Sequence, residues 1–203
     1  MAKSISARAE TQQARAKNFA YPYPRLLMEG RLNITGEENT GVKTSNVTFK
    51  PNQTYFIRTS HNVHLSVVER HGFIDPTKKK LRELDDNERR LAVINGVAKL
   101  TDVRELQQKE QYELFCAFNN LNPRSRQSRR YFREEEWPEL LEPRLVWPLI
   151  YGLFFTDIKP FKNPVPLEIA PGAVNIVKVV RTKVLKQALN EVGLDWSAMR
   201  VQK

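Results

Sequence analysis

The sequence predicts an α+β protein: an antiparallel, β-rich N-terminal half, a helical middle, and a Pro- and aromatic-rich C-terminal section with a closing helix. A basic N-terminal arm precedes them. Three observations predict this. Residues 25–74 are rich in β-branched and aromatic side chains, punctuated at short intervals by turn residues. Residues 101–118 carry apolar groups near helical spacing. Residues 137–171 contain Pro138, Pro143, Pro148, Pro160, Pro164 and Pro166, which exclude a long helix. The 203 residues are enough to bury one real core. The expected division is a basic extended arm over 1–24 and a single α+β domain over 25–203. A change of composition between 75 and 100 marks the candidate sub-boundary.

The arm carries Lys3, Arg8, Arg15 and Lys17 against one acid, Glu10. Alanine and glutamine favour helix there, but too few large apolar groups exist to form a packed face. The expectation is a segment disordered alone and ordered on a partner. A mitochondrial presequence has the same composition, which would place the protein in the matrix. Tyr21-Pro-Tyr-Pro24 then imposes extended backbone and breaks any helix.

Strands are expected at Arg31–Thr35, Val42–Phe49, Thr54–Thr59 and Val63–Glu69, as an antiparallel meander. The turns between them are Gly36–Gly41, Lys50–Gln53 and Ser60–Asn62. Alternation puts Tyr55, Ile57 and Thr59 on one face and Phe56 and Arg58 on the other. Phe49 or Phe56 is assigned to the core.

Lys78–Arg90 is a charge run anchored only by Leu81 and Leu84, and reads as a solvated helix or loop. Leu91–Leu100 is a short apolar piece whose Asn95-Gly96 suits a hairpin turn. Thr101 is the expected N-cap of a helix whose apolar face strengthens at Leu114, Phe115 and Phe118. Asn119–Pro123 ends it. Short strands are expected over 137–171, and Asn175–Val180 fits strand or helix. Val180, Val184, Ala188 and Val192 recur at helical spacing, and Gly193 stops that helix.

The net charge of +10 favours polyanionic partners. The single cysteine, Cys116, lies in an apolar run and cannot form an internal disulfide. No apolar leader or membrane-length run is present, so an intracellular protein is expected. The sequons at Asn33, Asn46 and Asn52 are read as chance matches in a Thr- and Asn-rich region.

The most informative stretch is Asn122–Trp137. It holds Arg124, Arg126, Arg129, Arg130 and Arg133 beside Tyr131 and Phe132, followed by Glu134, Glu135 and Glu136. Arginine offers a planar donor fork for phosphate, and aromatic rings offer a stacking surface for bases. The expectation is an exposed binding loop, with the glutamates opening a short helix. If the stretch were helical, its arginines would spread over several faces. The bland alternative pairs these arginines with the glutamates on a solvated surface. Lys3, Arg8, Arg15, Lys17 and Arg58 complete the candidate nucleic-acid ligands.

Catalytic signals are weak. His61-x-x-His64 has metal-like spacing, but strand alternation puts the two on opposite faces. No phosphate-binding glycine loop, dinucleotide fingerprint or nucleophile elbow is present. Asp85-Asp86, Glu134–Glu136, and Asp157 with Lys159 are acidic groups that could in principle bind a divalent ion for nuclease chemistry. No catalytic residue, metal ligand or cofactor is assigned. The expected function is non-enzymatic binding of nucleic acid, RNA ahead of DNA, within a larger assembly through the arm and the arginine loop. The alternative is a structural subunit of a capsid, tail or connector whose arm binds neighbouring subunits. A nuclease comes third.

Overall fold

The computed structural model describes residues 14–37, 49–73, 92–132, 151–167 and 176–199. The strands are β1 (Ala14–Tyr21), β2 (Ile34–Glu37), β3 (Gln53–Val63), β4 (Val93–Glu105), β5 (Tyr151–Pro166) and β6 (Ile176–Val179). The helices are α1 (Tyr23–Met28), α2 (Leu65–Arg70), α3 (Gln108–Phe118), α4 (Arg126–Phe132) and α5 (Lys183–Glu191), and a 3-10 turn spans Trp196–Met199. The α+β expectation therefore holds. The strands form one six-stranded sheet in the order β2-β5-β4-β3-β1-β6. It is mixed rather than a meander: β1 runs parallel to β3, pairing Ala16 with Phe56, and the other neighbours are antiparallel.

Alternation along the strands divides the core in two. On one face Phe19, Tyr55, Ile57, Leu100, Leu153 and Phe155 pack with residues of α1, α2 and α3. On the other, Ala16, Phe56, Ile94, Val97 and Phe161 meet Leu185, Ala188 and Leu189 of α5 and Trp196 and Met199 of the 3-10 turn. Phe49 and Phe56 are both core residues, in different layers.

The arm is corrected most sharply. Residues 14–21 are a sheet strand between β3 and β6, with Ala14 and Ala16 fully buried. Alanines at alternate positions leave room for Phe56 and Val177 on that face, and partners on both sides satisfy the backbone. Pairing of this kind outweighs the helical propensity of the sequence. Tyr21–Pro24 does not end helical structure either. α1 starts at Tyr23 with Pro24 in its first turn, where a missing N–H costs nothing. Lys3 and Arg8 lie outside the described residues.

Three further expectations change. Val63–Glu69 is mostly helix α2, and Val67 and Val68 form its buried side. Leu91–Leu100 is no hairpin, because β4 runs through it to Glu105. Gly96 serves close packing instead of a turn. A Cβ there would collide with the Lys159 carbonyl oxygen and lie 2.6 Å from Met28 Sδ. Only glycine permits this approach of β4 to β5. Thr101 is therefore within a strand, and α3 begins six residues beyond it at Gln107 and Gln108. β5 contains Pro160, Pro164 and Pro166. Pro160 faces Gly96 at a register irregularity and Pro166 ends the strand, positions where a missing donor is tolerated.

The undecided stretch at 175–180 contains β6. In α5, Thr182 caps the helix by accepting from the Leu185 N–H, and Gly193 follows it at φ +72°. The buried face is Leu185, Ala188 and Leu189, with Val192 packed partly against the same core; of the expected stripe, Val180 and Val184 are exposed instead. The charge run at 78–90, the strand at 42–48 and Glu134–Glu136 lie outside the described residues.

Candidate nucleic-acid interface

The arginine stretch is a helix, not a loop. Ser125 precedes α4, and its Oγ accepts from the Gln127 N–H at 3.1 Å. Asn122 Oδ1 accepts from the Arg124 N–H at 2.9 Å, shaping the turn before it. Helical spacing then separates the side chains into two sets. Arg126, Arg129 and Arg130 stand at i, i+3 and i+4 and are exposed. Ser128, Tyr131 and Phe132 repeat that spacing on the inner side, with Ser128 buried and the two rings packed against the core. The arginines are thus gathered on one face instead of spreading around several.

α4 rests on α3. The capping box of Gln107 and Glu110 opens α3, and Leu114, Phe115, Cys116 and Phe118 bury its inner side. Tyr112 donates to the Pro123 carbonyl at 2.8 Å and ties the connection between the helices to α3. Phe132 packs edge-on against Tyr112, with ring centres 5.0 Å apart, and lies 5.5 Å from the Phe115 ring. Between the helices is an open cleft of about 490 Å³ lined by Gln108, Lys109, Tyr112, Arg129 and Phe132. Desolvation pushes the Tyr112 phenol up, as does Cys116, while the nearby Arg129 guanidinium opposes the shift. Burial likewise pushes the Cys116 thiol up, which suits a structural cysteine.

The charges around the cleft are unequal. Lys109 pairs with Glu113 at 3.8 Å, and Glu110 is committed to Arg104. Among the described residues no carboxylate pairs with Arg124, Arg126 or Arg129. All three residues are exposed, and the Arg129 guanidinium reaches the Tyr112 phenol.

Other candidate ligands are placed elsewhere. Lys17 is 1% exposed, with its ammonium 4.9 Å from the centre of the Phe19 ring and 5.1 Å from that of Phe49. Arg58 is also 1% exposed, and it donates to the Leu167 carbonyl at 2.9 Å and to Asn18 Oδ1 at 2.7 Å. Arg15 is half-buried beside Tyr55, whose phenol is pushed up by burial and partly held back by the Lys50 N–H and by Arg15. Lys17 and Arg58 are corrected from surface ligands to core cations, and Arg15 belongs to the sheet. Tyr131 takes a hydrogen bond from Gln127 and packs inward, so Phe132 rather than Tyr131 is the ring at the cleft. Arg133 lies outside the described residues. Sequence reasoning missed Lys109, Gln108 and Tyr112. Tyr112 is the one it had a signal for, standing three residues before Phe115 on a helix already recognised.

His61 is exposed near the end of β3, and His64 precedes α2 with its ring edge-on to Tyr23 and Phe118. Among the described residues no group of three or more His, Cys, Asp or Glu side chains could hold a metal ion. Nor is any described helix long and apolar enough to cross a membrane.

No family model matches the chain, and no curated protein matches it. It is similar to the solved structure of ASCH from Zymomonas mobilis, at 10% identity and a TM-score of 0.41, over 88% of this chain and 94% of that one. A serine-to-alanine mutant of ZmASCH gives 9% identity and a TM-score of 0.42, over 87% and 95% of the two chains.

The expectation of an assembly component working through a flexible arm and an arginine loop is corrected. Residues 14–21 of the arm are a sheet strand, and the loop is a helix packed on α3.

Proposed function

We propose that the folded domain itself binds single-stranded nucleic acid, RNA ahead of DNA, at the face formed by α3 and α4. The observation that carries this reading is the meeting of Arg129, Phe132 and Tyr112 in one cleft, with Arg126 and Arg130 on the adjoining surface of α4. Exposed guanidinium groups such as those of Arg126 and Arg129 can take phosphate oxygens as charged, often bidentate, hydrogen-bond acceptors. The edge of the cleft offers a ring to one unstacked base, a common arrangement for single strands and RNA loops. The reading is one of binding rather than catalysis. One buried, free thiol at Cys116 suits a reducing intracellular compartment.

The test is a binding titration with oligo-uridine, oligo-deoxythymidine and a duplex of equal length at several salt concentrations. Each single-strand phosphate contact lowers the slope of log affinity against log salt by about 0.7. Replacing Arg126, Arg129 and Arg130 with alanine should weaken binding and reduce that slope by about two. Equal binding by the triple variant, or a flat salt response, rejects the proposal.

A further inference from the structure

α1 and α2 cover the same face of the sheet, and polar side chains close the seam between them. His71, the C-cap residue of α2, is half-buried there. Its Nε2 lies 2.9 Å from the Phe118 carbonyl at the end of α3, and its Nδ1 lies 3.3 Å from Nη1 of Arg31, just beyond α1. The imidazole stacks on Phe73, with ring centres 5.3 Å apart. The Arg25 and Arg31 guanidinium carbons stand 3.8 and 5.1 Å from the centre of the same Phe73 ring.

The two polar contacts of His71 fix its protonation state. A carbonyl oxygen can only accept, so Nε2 carries a proton and donates it. A guanidinium can only donate, so Nδ1 must offer a bare lone pair. Only neutral imidazole in the Nε2–H form meets both demands. A second proton, on Nδ1, would set two donors and two cations face to face at 3.3 Å. The Phe118 bond would survive, because Nε2 keeps its proton. The surrounding charges disfavour the second proton. Arg31 and Arg70 act on the ring directly, and Arg25 shares Phe73 with it. Glu29 is the carboxylate that acts on the ring, and it already pairs with Arg25 at 2.7 Å and with Arg31 at 3.1 Å. On α2 itself, Glu69 acts on Arg70.

We infer that His71 is a proton-operated latch on the seam between α1 and α2: the neutral ring fastens Arg31 to α2, and the charged ring releases it while keeping its hold on α3. Burial holds the His71 pKa below its ordinary 6.5; the Phe118 carbonyl opposes this, Arg31 and Arg70 add to it, and Glu29 opposes it. A base lowered in the folded state favours folding while it is neutral. The contribution is therefore full above about pH 6.5 and is lost as pH falls through the folded value. Half-exposure lets the ring take its proton without unfolding. Release acts on the turn after α1, where the Arg31 and Leu32 N–H groups both donate to the Leu26 carbonyl, at 2.9 and 3.2 Å.

NMR of the full chain tests this. The imidazole signals of the three histidines, His61, His64 and His71, are followed from about pH 8 to about pH 5. His71→Gln identifies the His71 signal. The expected result is the Nε2–H tautomer at high pH and a midpoint below 6.5. Arg31→Met keeps the aliphatic stem at an exposed position and removes the cation, so it should raise the His71 midpoint by about half a unit or more. The midpoints of His61 and His64 should not move. As His71 gains its proton, hydrogen-exchange protection of the Arg31 and Leu32 amides should fall, after correction for the intrinsic effect of pH on exchange. In His71→Gln it should stay constant. Three outcomes each overturn the latch: the other tautomer, a His71 midpoint that ignores Arg31→Met, or protection that does not follow the His71 titration. Should His71→Gln fail to fold, the tautomer and the Arg31→Met midpoint decide on their own. No nucleic acid enters these measurements, so they stand apart from binding at α3 and α4.

Discussion

Arg70 holds Asn119 with two hydrogen bonds: its Nη2 donates to Asn119 Oδ1 at 2.6 Å and its Nε to the Asn119 carbonyl at 2.9 Å. Asn119 is buried, and its own amide donates back to the Phe115 carbonyl at 2.9 Å. The arginine of α2 thus closes the C-terminal end of α3, where carbonyl groups lack partners within the helix. Partial burial pulls the Arg70 pKa down, but the group remains a cation at any working pH.

Arg70→Ala should therefore destabilise the fold by about 1–3 kcal/mol, since it leaves the Asn119 side-chain oxygen and backbone carbonyl without these donors. Urea unfolding measures this. Arg70→Lys should recover only part of the loss, because one ammonium cannot reproduce the fork. A wild-type midpoint for the alanine variant would show that water replaces the arginine at no cost.

A second prediction concerns Glu110. The Arg104 guanidinium, with the Gln107 N–H, holds its carboxyl at about 2, against an ordinary 4.5. A carboxylate lowered in the folded state contributes stability above its unfolded value and loses it as pH falls toward the folded one. The contribution of this pair is thus present above about pH 4.5 and fades toward about pH 2. The pair is solvent-exposed, so its effect should shrink with salt. NMR titration of the Glu110 side chain should give a midpoint that rises toward the ordinary value in Arg104→Ala.

The third prediction follows from β1. Ala16 is fully buried and pairs with Phe56 on one side and Val177 on the other. Ala16→Asp puts a carboxylate into an apolar layer and should cost about 3 kcal/mol or more. Deleting residues through 18 should prevent stable folding, because it removes five of the eight residues of the strand that joins β3 to β6, including all four that pair with β6. Gln187→Asp, on the exposed side of α5, is the control. Wild-type melting of the truncated chain would restore the view of these residues as an appendage.

Parts of this architecture were legible because they rest on local pattern. The alternation of Tyr55, Phe56 and Ile57 marks β3, and Gly193 marks the end of α5. The inward set of α3 is visible in Leu114, Phe115 and Phe118. Other parts depend on partners distant in sequence. Arg58 looks like a surface ligand until Asn18 and Leu167, 40 and 109 residues away, surround it. Gly96 looks like a turn residue until Lys159 and Met28 crowd it. Residues 14–21 lack the β-branched residues that announce a strand, and only pairing on both edges makes them one. The site lies between these cases. The repeats 126-129-130 and 128-131-132 were present in the sequence, but Pro123 and the Ser-Gln-Ser spacing favoured a loop.

The last prediction separates charge from stacking at the cleft. Arg129 and Phe132 line it together, so both should matter for a bound strand, and in different ways. Changing Arg126, Arg129 and Arg130 to lysine keeps three positive charges but removes the planar forks. If phosphate charge alone acts, these lysines retain full affinity and the full salt slope. If guanidinium geometry acts, affinity falls with the slope nearly unchanged. Phe132→Leu keeps an apolar group against Tyr112 and Phe115 while removing the ring, so folding should survive with a loss of about 1–2 kcal/mol. Its binding defect should be independent of salt, about 1–3 kcal/mol for one stacked base, and equal for oligomers of different charge density. Phe132→Trp should restore or strengthen binding, since a larger ring offers more stacking surface. A leucine variant that binds as wild type would assign Phe132 wholly to the core and leave α4 a purely electrostatic surface.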